Sequence, residues 1–328
     1  MINGHKISGY LLSYNNEETI KKALNSFYGL CDEIIVLHEE GNDRTGEIIK
    51  QESLNNPIKI YDFKMNGDWA EARNFALSKC SGDWIITVDA DEWFDEKGKG
   101  QIKELIKKDC DVWEVIQYSY IDGGDVLLVP TARIFKKGLY YTLPTHETLL
   151  DSINEKGYRV GKSNVIMYHT GYKGDVSGKI ERNFNILKQD HPLFNYYTGL
   201  LQILNEEDGI EYMTKALDEV KNESLLAYIY SVLGEQYFKK GEIYSAITCL
   251  NKSLQIEPVQ NFANKLLSDI YITIGMLDNA IKHLEEIAQN SKVIRCRAFN
   301  DRIFSGIEES LNELKQYKQN IYKELKIN

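Results

Sequence analysis

Short apolar runs alternate with amphipathic stretches over the first part of the chain. Lys6 to Tyr14 and Glu33 to His38 are apolar runs of strand length. Each is followed by a segment whose apolar positions recur at helical spacing, Glu18 to Tyr28 and then Thr45 to Glu52. Ile58 to Phe63 predicts a third strand. Asp68 is placed to cap a helix through Lys79 that turns Ala72, Phe75 and Ala76 to one face. That helix delivers the chain to a further buried strand, Trp84-Ile85-Ile86-Thr87-Val88. Strands alternating with helices predict an α/β domain with a mostly parallel, doubly wound sheet, and such sheets bind ligands outside the carboxyl ends of their strands.

From about His191 the pattern changes. Strand-like runs give way to helical spacing with an internal repeat, in which Tyr237 and Tyr271, Gly241 and Gly275, Ala246 and Ala280, and Leu250 and Leu284 are each 34 residues apart. That is the tetratricopeptide period, in which small residues sit where paired helices cross and aromatics and leucines fill the core between hairpins. Leu193 to Val220 predicts a degenerate preceding hairpin, and Lys292 to Lys326 predicts terminal capping helices. The expected organisation is an α/β domain over 1–190 and an all-α repeat domain over 191–328.

The strand ending at Val88 runs into Asp89-Ala90-Asp91-Glu92. In extended backbone, residues two apart point to the same side, so both aspartates are expected to face one small volume at the strand's carboxyl end. Paired carboxylates suit Mg²⁺ or Mn²⁺, which share their shell readily with phosphate oxygens and so hold a nucleoside diphosphate. A bare Asp-x-Asp also arises as an ordinary solvated turn, so the surrounding residues must distinguish the two.

Those surroundings resemble the family 2 glycosyltransferases, with their nucleotide-sugar-binding GT-A fold. The resemblance is carried by Tyr14-Asn15-Asn16-Glu17-Glu18-Thr19-Ile20, Asp32-Glu33-Ile34-Ile35-Val36, Asn42-Asp43-Arg44-Thr45, Asp68-Trp69-Ala70-Glu71-Ala72-Arg73-Asn74 and Gly82-Asp83-Trp84 leading to Asp89. Arg133-Ile134-Phe135, His146-Glu147, Tyr168-His169-Thr170-Gly171-Tyr172 and Arg182-Asn183 are similar to later motifs of a subgroup with tetratricopeptide repeats that includes the bacteriocin S-glycosyltransferases.

The resemblance implies metal-dependent, inverting transfer of a sugar from a nucleoside-diphosphate sugar, expected to be a UDP-sugar. The acceptor it implies is a Cys, Ser or Thr side chain of a peptide or protein. A surface-glycan or lipid-linked precursor is the alternative acceptor, and an inactive adaptor acting through its repeats is the alternative function. Donor binding is expected to involve Tyr14, Asn15, Glu17, Asp43, Arg44, Arg73, Asp89 and Arg182. Asp91 is the expected metal holder, with Asp89 assisting or reaching the ribose, and His169 either completes the metal shell or touches the diphosphate. Glu147 is the expected general base, with His146 orienting it or taking its place. Lys179 is a second candidate phosphate clamp beside Arg182, although Lys179 to Leu187 also reads as the start of an amphipathic helix. Where the family has an aspartate after the second strand, this chain has His38. A neutral imidazole can donate to a uracil carbonyl but offers no carboxylate to a ribose or N–H group.

Composition narrows the partners. The chain has 328 residues, 43% apolar and 27% charged, and a formal net charge of −10. That balance suits two globular cores, disfavours nucleic acid and gives no general pull toward anionic membranes. No signal peptide and no run of 18 apolar residues is evident, so a cytoplasmic location is expected. The five cysteines, Cys31, Cys80, Cys110, Cys249 and Cys296, are scattered and lack Cys-x-x-Cys spacing. They read as reduced thiols rather than staples or zinc ligands. A solenoid's concave face suits a peptide acceptor or a sister subunit, and a homodimer through the helical domain is a further expectation.

Overall fold

A computed structural model describes residues 1–121, 124–144, 147–170, 191, 193–292 and 301–324. The chain divides into two compact units, one comprising Met1–Ser119 with Pro130–Tyr172, the other Tyr120–Val129 with Lys173–Asn328. The boundary expected at residue 190 lies outside the described residues.

In the first unit, β1 (Ile7–Ser13) lies between β2 (Glu33–His38) and β4 (Trp84–Thr87), and β3 (Ile58–Asp62) flanks β2. All four run parallel, with Ser13 level with His38 at their carboxyl ends. Every residue of β1 and β2 is buried. The alternation of each strand explains this, because both faces of the sheet are covered. Ile7, Leu11, Ile34, Val36 and Ile86 face one core with α1 (Ile20–Asn25), α2 (Thr45–Ser53) and α4 (Glu96–Leu105). Tyr10, Leu12, Ile35, Leu37 and Ile85 face a second core with α3 (Trp69–Lys79) and α5 (Leu150–Lys156). The helix expected from Glu18 is shorter than its pattern, beginning only at Ile20.

Past β4 the sheet is mixed. β7 (Val126–Lys136) pairs with β4 antiparallel. β6 (Val112–Tyr120) follows, with β8 (Val160–His169) parallel to it and the two-residue β5 (Glu92–Trp93) antiparallel to β8. This nine-stranded mixed sheet fits the α/β GT-A architecture that the resemblance implies.

The second unit is built mainly of helix pairs. Phe194–Leu204 packs with Ile210–Glu219, Glu223–Lys239 with Ile243–Ile256, and Asn261–Thr273 with Leu277–Ser291. The repeat registers as expected. Ala246, Ala280 and Leu250 are fully buried and Leu284 nearly so, while Gly241 and Gly275 turn the chain between helices at φ +78° and +77°, where an L side chain would be strained. The helical expectation for Lys292 to Lys326 needs correction. Helix forms over Ile307–Glu324, but Asp301–Ile303 is a strand, β9, paired antiparallel with Val126–Leu128 of β7. Three residues carry too short a pattern to declare a strand, and only the unpaired edge of β7 makes one of them. No helix among the described residues is long and apolar enough to cross a membrane.

Candidate active site

β4 ends at Thr87, and Val88 is its last core side chain. The chain then turns instead of continuing extended, with Glu92 N–H donating to the Asp89 carbonyl at 2.9 Å. The extended-strand expectation for Asp89 and Asp91 therefore fails, and the two carboxylates meet different partners.

Asp89 meets two arginines. Arg73 Nη2 donates to its Oδ1 at 2.8 Å and Arg133 Nη2 to its Oδ2 at 3.0 Å. The same Arg133 nitrogen donates to Glu92 Oε1 at 2.8 Å, and Glu92 Oε2 accepts the Asp89 N–H at 2.8 Å. Burial alone would raise the Asp89 carboxyl, but Arg133 and Arg73 overcome it and hold the group below the usual carboxylate range. Glu92 goes the other way. Its own burial, with the Asp89 charge beside it, outweighs Arg133 and pushes it up to about 7.

Asp91 faces His169, with Oδ2 3.5 Å from Nε2. Two features of the sheet place the imidazole there. β5 pairs with β8 so that Glu92 lies opposite His169, and Ser119 Oγ on β6 is 3.0 Å from Nδ1 on the ring's other edge. In this arrangement both Asp89 oxygens are taken by guanidinium groups, so the pair facing a metal would be Asp91 and His169. Among the described residues no group of three or more His, Cys, Asp or Glu converges. A carboxylate and an imidazole still fit Mn²⁺ or Mg²⁺ bound with a diphosphate, because phosphate oxygens and water fill the remaining positions.

Arg73 reaches in a second direction. Its Nε donates to Glu147 Oε1 at 2.5 Å, so one buried guanidinium joins the strand-end carboxylate to the proposed base. The capped helix explains its placement. Asp68 Oδ1 accepts the Glu71 N–H at 2.9 Å, and the face of α3 turned to the sheet carries Ala70, Ala72, Arg73 and Ala76, with Phe75 only half-buried. Asn74, one residue on, grips the backbone of Tyr141 at both ends, accepting from its N–H and donating to its carbonyl at 2.8 Å each. The segment after Tyr141 is then closed by reciprocal Thr142 and Thr148 backbone bonds around Glu147.

The remaining donor candidates line the loops after β1 and β2. Asn15, at φ +52°, accepts the Asn42 N–H at 2.9 Å. Asp43 accepts the Thr45 N–H where α2 begins and also the Glu17 N–H, each at 2.9 Å. Glu17 Oε2 pairs with Arg44 Nε at 3.2 Å. Tyr14 is half exposed. His38, by contrast, is buried. Its Nδ1 lies 3.1 Å from Ser13 Oγ, and its Nε2 sits so close to Gly46 that a Cβ there would come within 2.7 Å. The ring thus packs the β2 end against α2. His146, Arg182 and Lys179 lie outside the described residues.

Sequence reasoning missed two members of this network. Arg133 was legible only as part of a motif, although a lone arginine among the apolar residues of β7 was itself a signal. Glu92 gave no signal beyond its place after Asp91.

The glycosyl transferase family 2 model matches residues 10–174, and a tetratricopeptide repeat model matches residues 227–260. The chain is similar to the SPbeta prophage-derived glycosyltransferase SunS of Bacillus subtilis, at 27% identity over 64% of this chain and 53% of that one. It therefore spans about half the length of that relative. A tetratricopeptide repeat-containing protein of Synechococcus elongatus matches at 22% identity over 77% of this chain and 67% of its own. Among solved structures, S. aureus TarS aligns at a TM-score of 0.44 and 18% identity, over 84% of this chain and 54% of that one.

Proposed function

Because this chain belongs to glycosyl transferase family 2, we propose that it moves a sugar from a nucleoside-diphosphate sugar, with UDP the nucleotide expected, to a Cys, Ser or Thr side chain of a peptide or protein, with inversion. The observation that carries this reading is Arg73, whose guanidinium ties Asp89, at the carboxyl end of the sheet, to Glu147. A donor-binding carboxylate and a base must be held at a fixed separation if one is to take a proton while the leaving group departs at the other.

Asp91 and His169 would hold a divalent ion, which when bound supplies Lewis-acid neutralisation of the diphosphate. Asp89 presents carboxylate lone pairs fixed by two arginines beside the donor, and Tyr14, Asn15, Glu17, Asp43 and Arg44 shape the loops that would receive the nucleotide. Glu147 accepts the acceptor's proton as its sulfur or oxygen bonds to the anomeric carbon. The bond from that carbon to the diphosphate oxygen breaks, and its electron pair leaves with the nucleoside diphosphate. The protein acceptor is supported by the helical repeats, whose stacked hairpins offer a surface for an extended chain.

A panel of UDP- and GDP-sugars, with Mn²⁺ or Mg²⁺ and no acceptor, tests the donor half through slow donor hydrolysis. Cysteine-, serine- and threonine-containing peptides then test the acceptor half. Hydrolysis of a UDP-sugar that a peptide accelerates is the expected outcome. An absence of both turnover and nucleotide binding across the panel would overturn the proposal.

A further inference from the structure

Arg133 lies on β7 three residues before Lys136, which is level with Trp84 of β4, so the antiparallel register carries Arg133 alongside the carboxyl end of β4. It is 9% exposed, and one nitrogen, Nη2, donates to both Asp89 Oδ2 and Glu92 Oε1. Glu92, 1% exposed, turns its other oxygen onto the Asp89 N–H while its own N–H meets the Asp89 carbonyl. Four residues are thus closed into a ring by two backbone-directed bonds and one guanidinium bridge. Asp91 lies inside that ring. Its carbonyl accepts the Thr170 N–H at 3.3 Å, and its carboxylate lies 3.5 Å from His169.

We propose that Arg133 is a positioning residue for the proposed transfer, neutralising Asp89 and Glu92 together so that the turn between them stays closed and Asp91 is held at His169. The inference rests on the proposed function, since it assigns a task within that site. The physical case is charge balance. Two carboxylates sharing a buried turn repel each other, and removing the cation between them leaves an uncompensated buried charge, which is among the costlier changes a protein can suffer. Arg73 cannot substitute, because its contacts go to the other Asp89 oxygen and to Glu147. A lysine could restore charge and has several donors on one nitrogen, but its ammonium sits on a flexible stem and lacks the planar rigidity that fixes Nη2 between the two carboxylates.

Charge balance and mere packing give different outcomes on substitution. Arg133→Met should weaken binding of Mn²⁺ with UDP, measured by calorimetry, by more than tenfold. Arg133→Lys should fall between Met and wild type. The decisive arm is Arg133→Met combined with Glu92→Gln, compared well above the raised Glu92 value of about 7, where the substitution removes the surplus charge and keeps an acceptor for the Asp89 N–H. This double variant should regain several-fold in Mn²⁺–UDP binding over Arg133→Met alone, whereas a purely space-filling arginine would give no such recovery. Equal binding by Arg133→Met and wild type would overturn the inference, as would a folded double variant that binds no better than the single one. Should Arg133→Met not fold, the comparison of Arg133→Gln with Arg133→Gln/Glu92→Gln replaces it, with the same expected recovery. Wild-type protein that binds neither UDP nor GDP with Mn²⁺ would instead count against the proposed function.

Discussion

At position 147 a carboxamide keeps the shape of the carboxylate and an oxygen for the 2.5 Å bond from Arg73, but it cannot take a proton. Glu147→Gln should therefore lower turnover by roughly 10² to 10⁴-fold with little change in donor affinity, the signature of an interaction made in the transition state. Steady-state kinetics beside calorimetric donor binding checks this split. A thiol acceptor adds a diagnostic, since raising the pH supplies thiolate and should partly rescue the variant, whereas a Ser or Thr hydroxyl gains nothing. Near wild-type turnover by Glu147→Gln on every acceptor would move the base elsewhere, with His146 the next residue to test. Asp91 behaves differently. Its carboxylate faces His169 and meets no arginine among the described residues, so Asp91→Ala should abolish Mn²⁺-dependent UDP binding and turnover while leaving the melting temperature close to wild type. Binding by that variant equal to wild type, or full activity in excess chelator, would remove the metal from the site.

Among the elements, β9 has an importance out of proportion to its three residues. Asp301, the first of them, accepts the N–H groups of Asn261 and Phe262 at 2.6 and 3.1 Å, capping the helix Asn261–Thr273 from 40 residues away. Burial, reinforced by the Glu257 carboxylate, outweighs these N–H donors and pushes the Asp301 carboxyl up to about 7. A carboxyl with its folded-state value raised binds its proton more tightly folded than unfolded. Its contribution is complete below about pH 4, the unfolded value, and is lost as pH rises through about 7. The wild-type melting temperature, or amide-exchange protection in that helix, should consequently fall between roughly pH 4 and 7 more than in Asp301→Asn, which keeps an acceptor but cannot ionise. Parallel pH profiles for the two proteins would refute this assignment.

For the whole molecule, the telling feature is that β7 begins in one compact unit and ends in the other. Its first residues, Val126 and Leu128, are buried and hydrogen-bonded to β9. A chain ended at residue 190 loses β9 and leaves that stretch of β7 as an uncovered apolar edge, the kind of strand that recruits other chains. Such a fragment should be poorly soluble and aggregate on concentration, as light scattering would show. A monodisperse, soluble fragment with unchanged acceptor kinetics would show the helical unit to be dispensable. The periodicity anticipated a helical second half, because a 34-residue repeat is a local pattern copied along the chain. It did not anticipate β9.

Patterns written in neighbouring residues are legible in the amino-acid order alone: the buried parallel strands, the Asp68 cap, the register of the repeats and the family motifs around Asp89 and Glu147. Each depends on period, capping or local order, which the chain carries in itself. The wiring of the site is not legible there. Arg73, Asp89, Arg133 and Glu147 come from four separate segments. Only the pairing of β7 with β4 and the docking of α3 on the sheet decide that two guanidinium groups meet one carboxylate. The turn at Asp89 likewise overrode the extended geometry of a strand end, because closing it onto Glu92 and Arg133 satisfies buried charges that a straight strand would leave apart. Spacing along the chain specifies which groups a site can use, while their separation in space, and so their charge state and partners, is set by how distant elements pack.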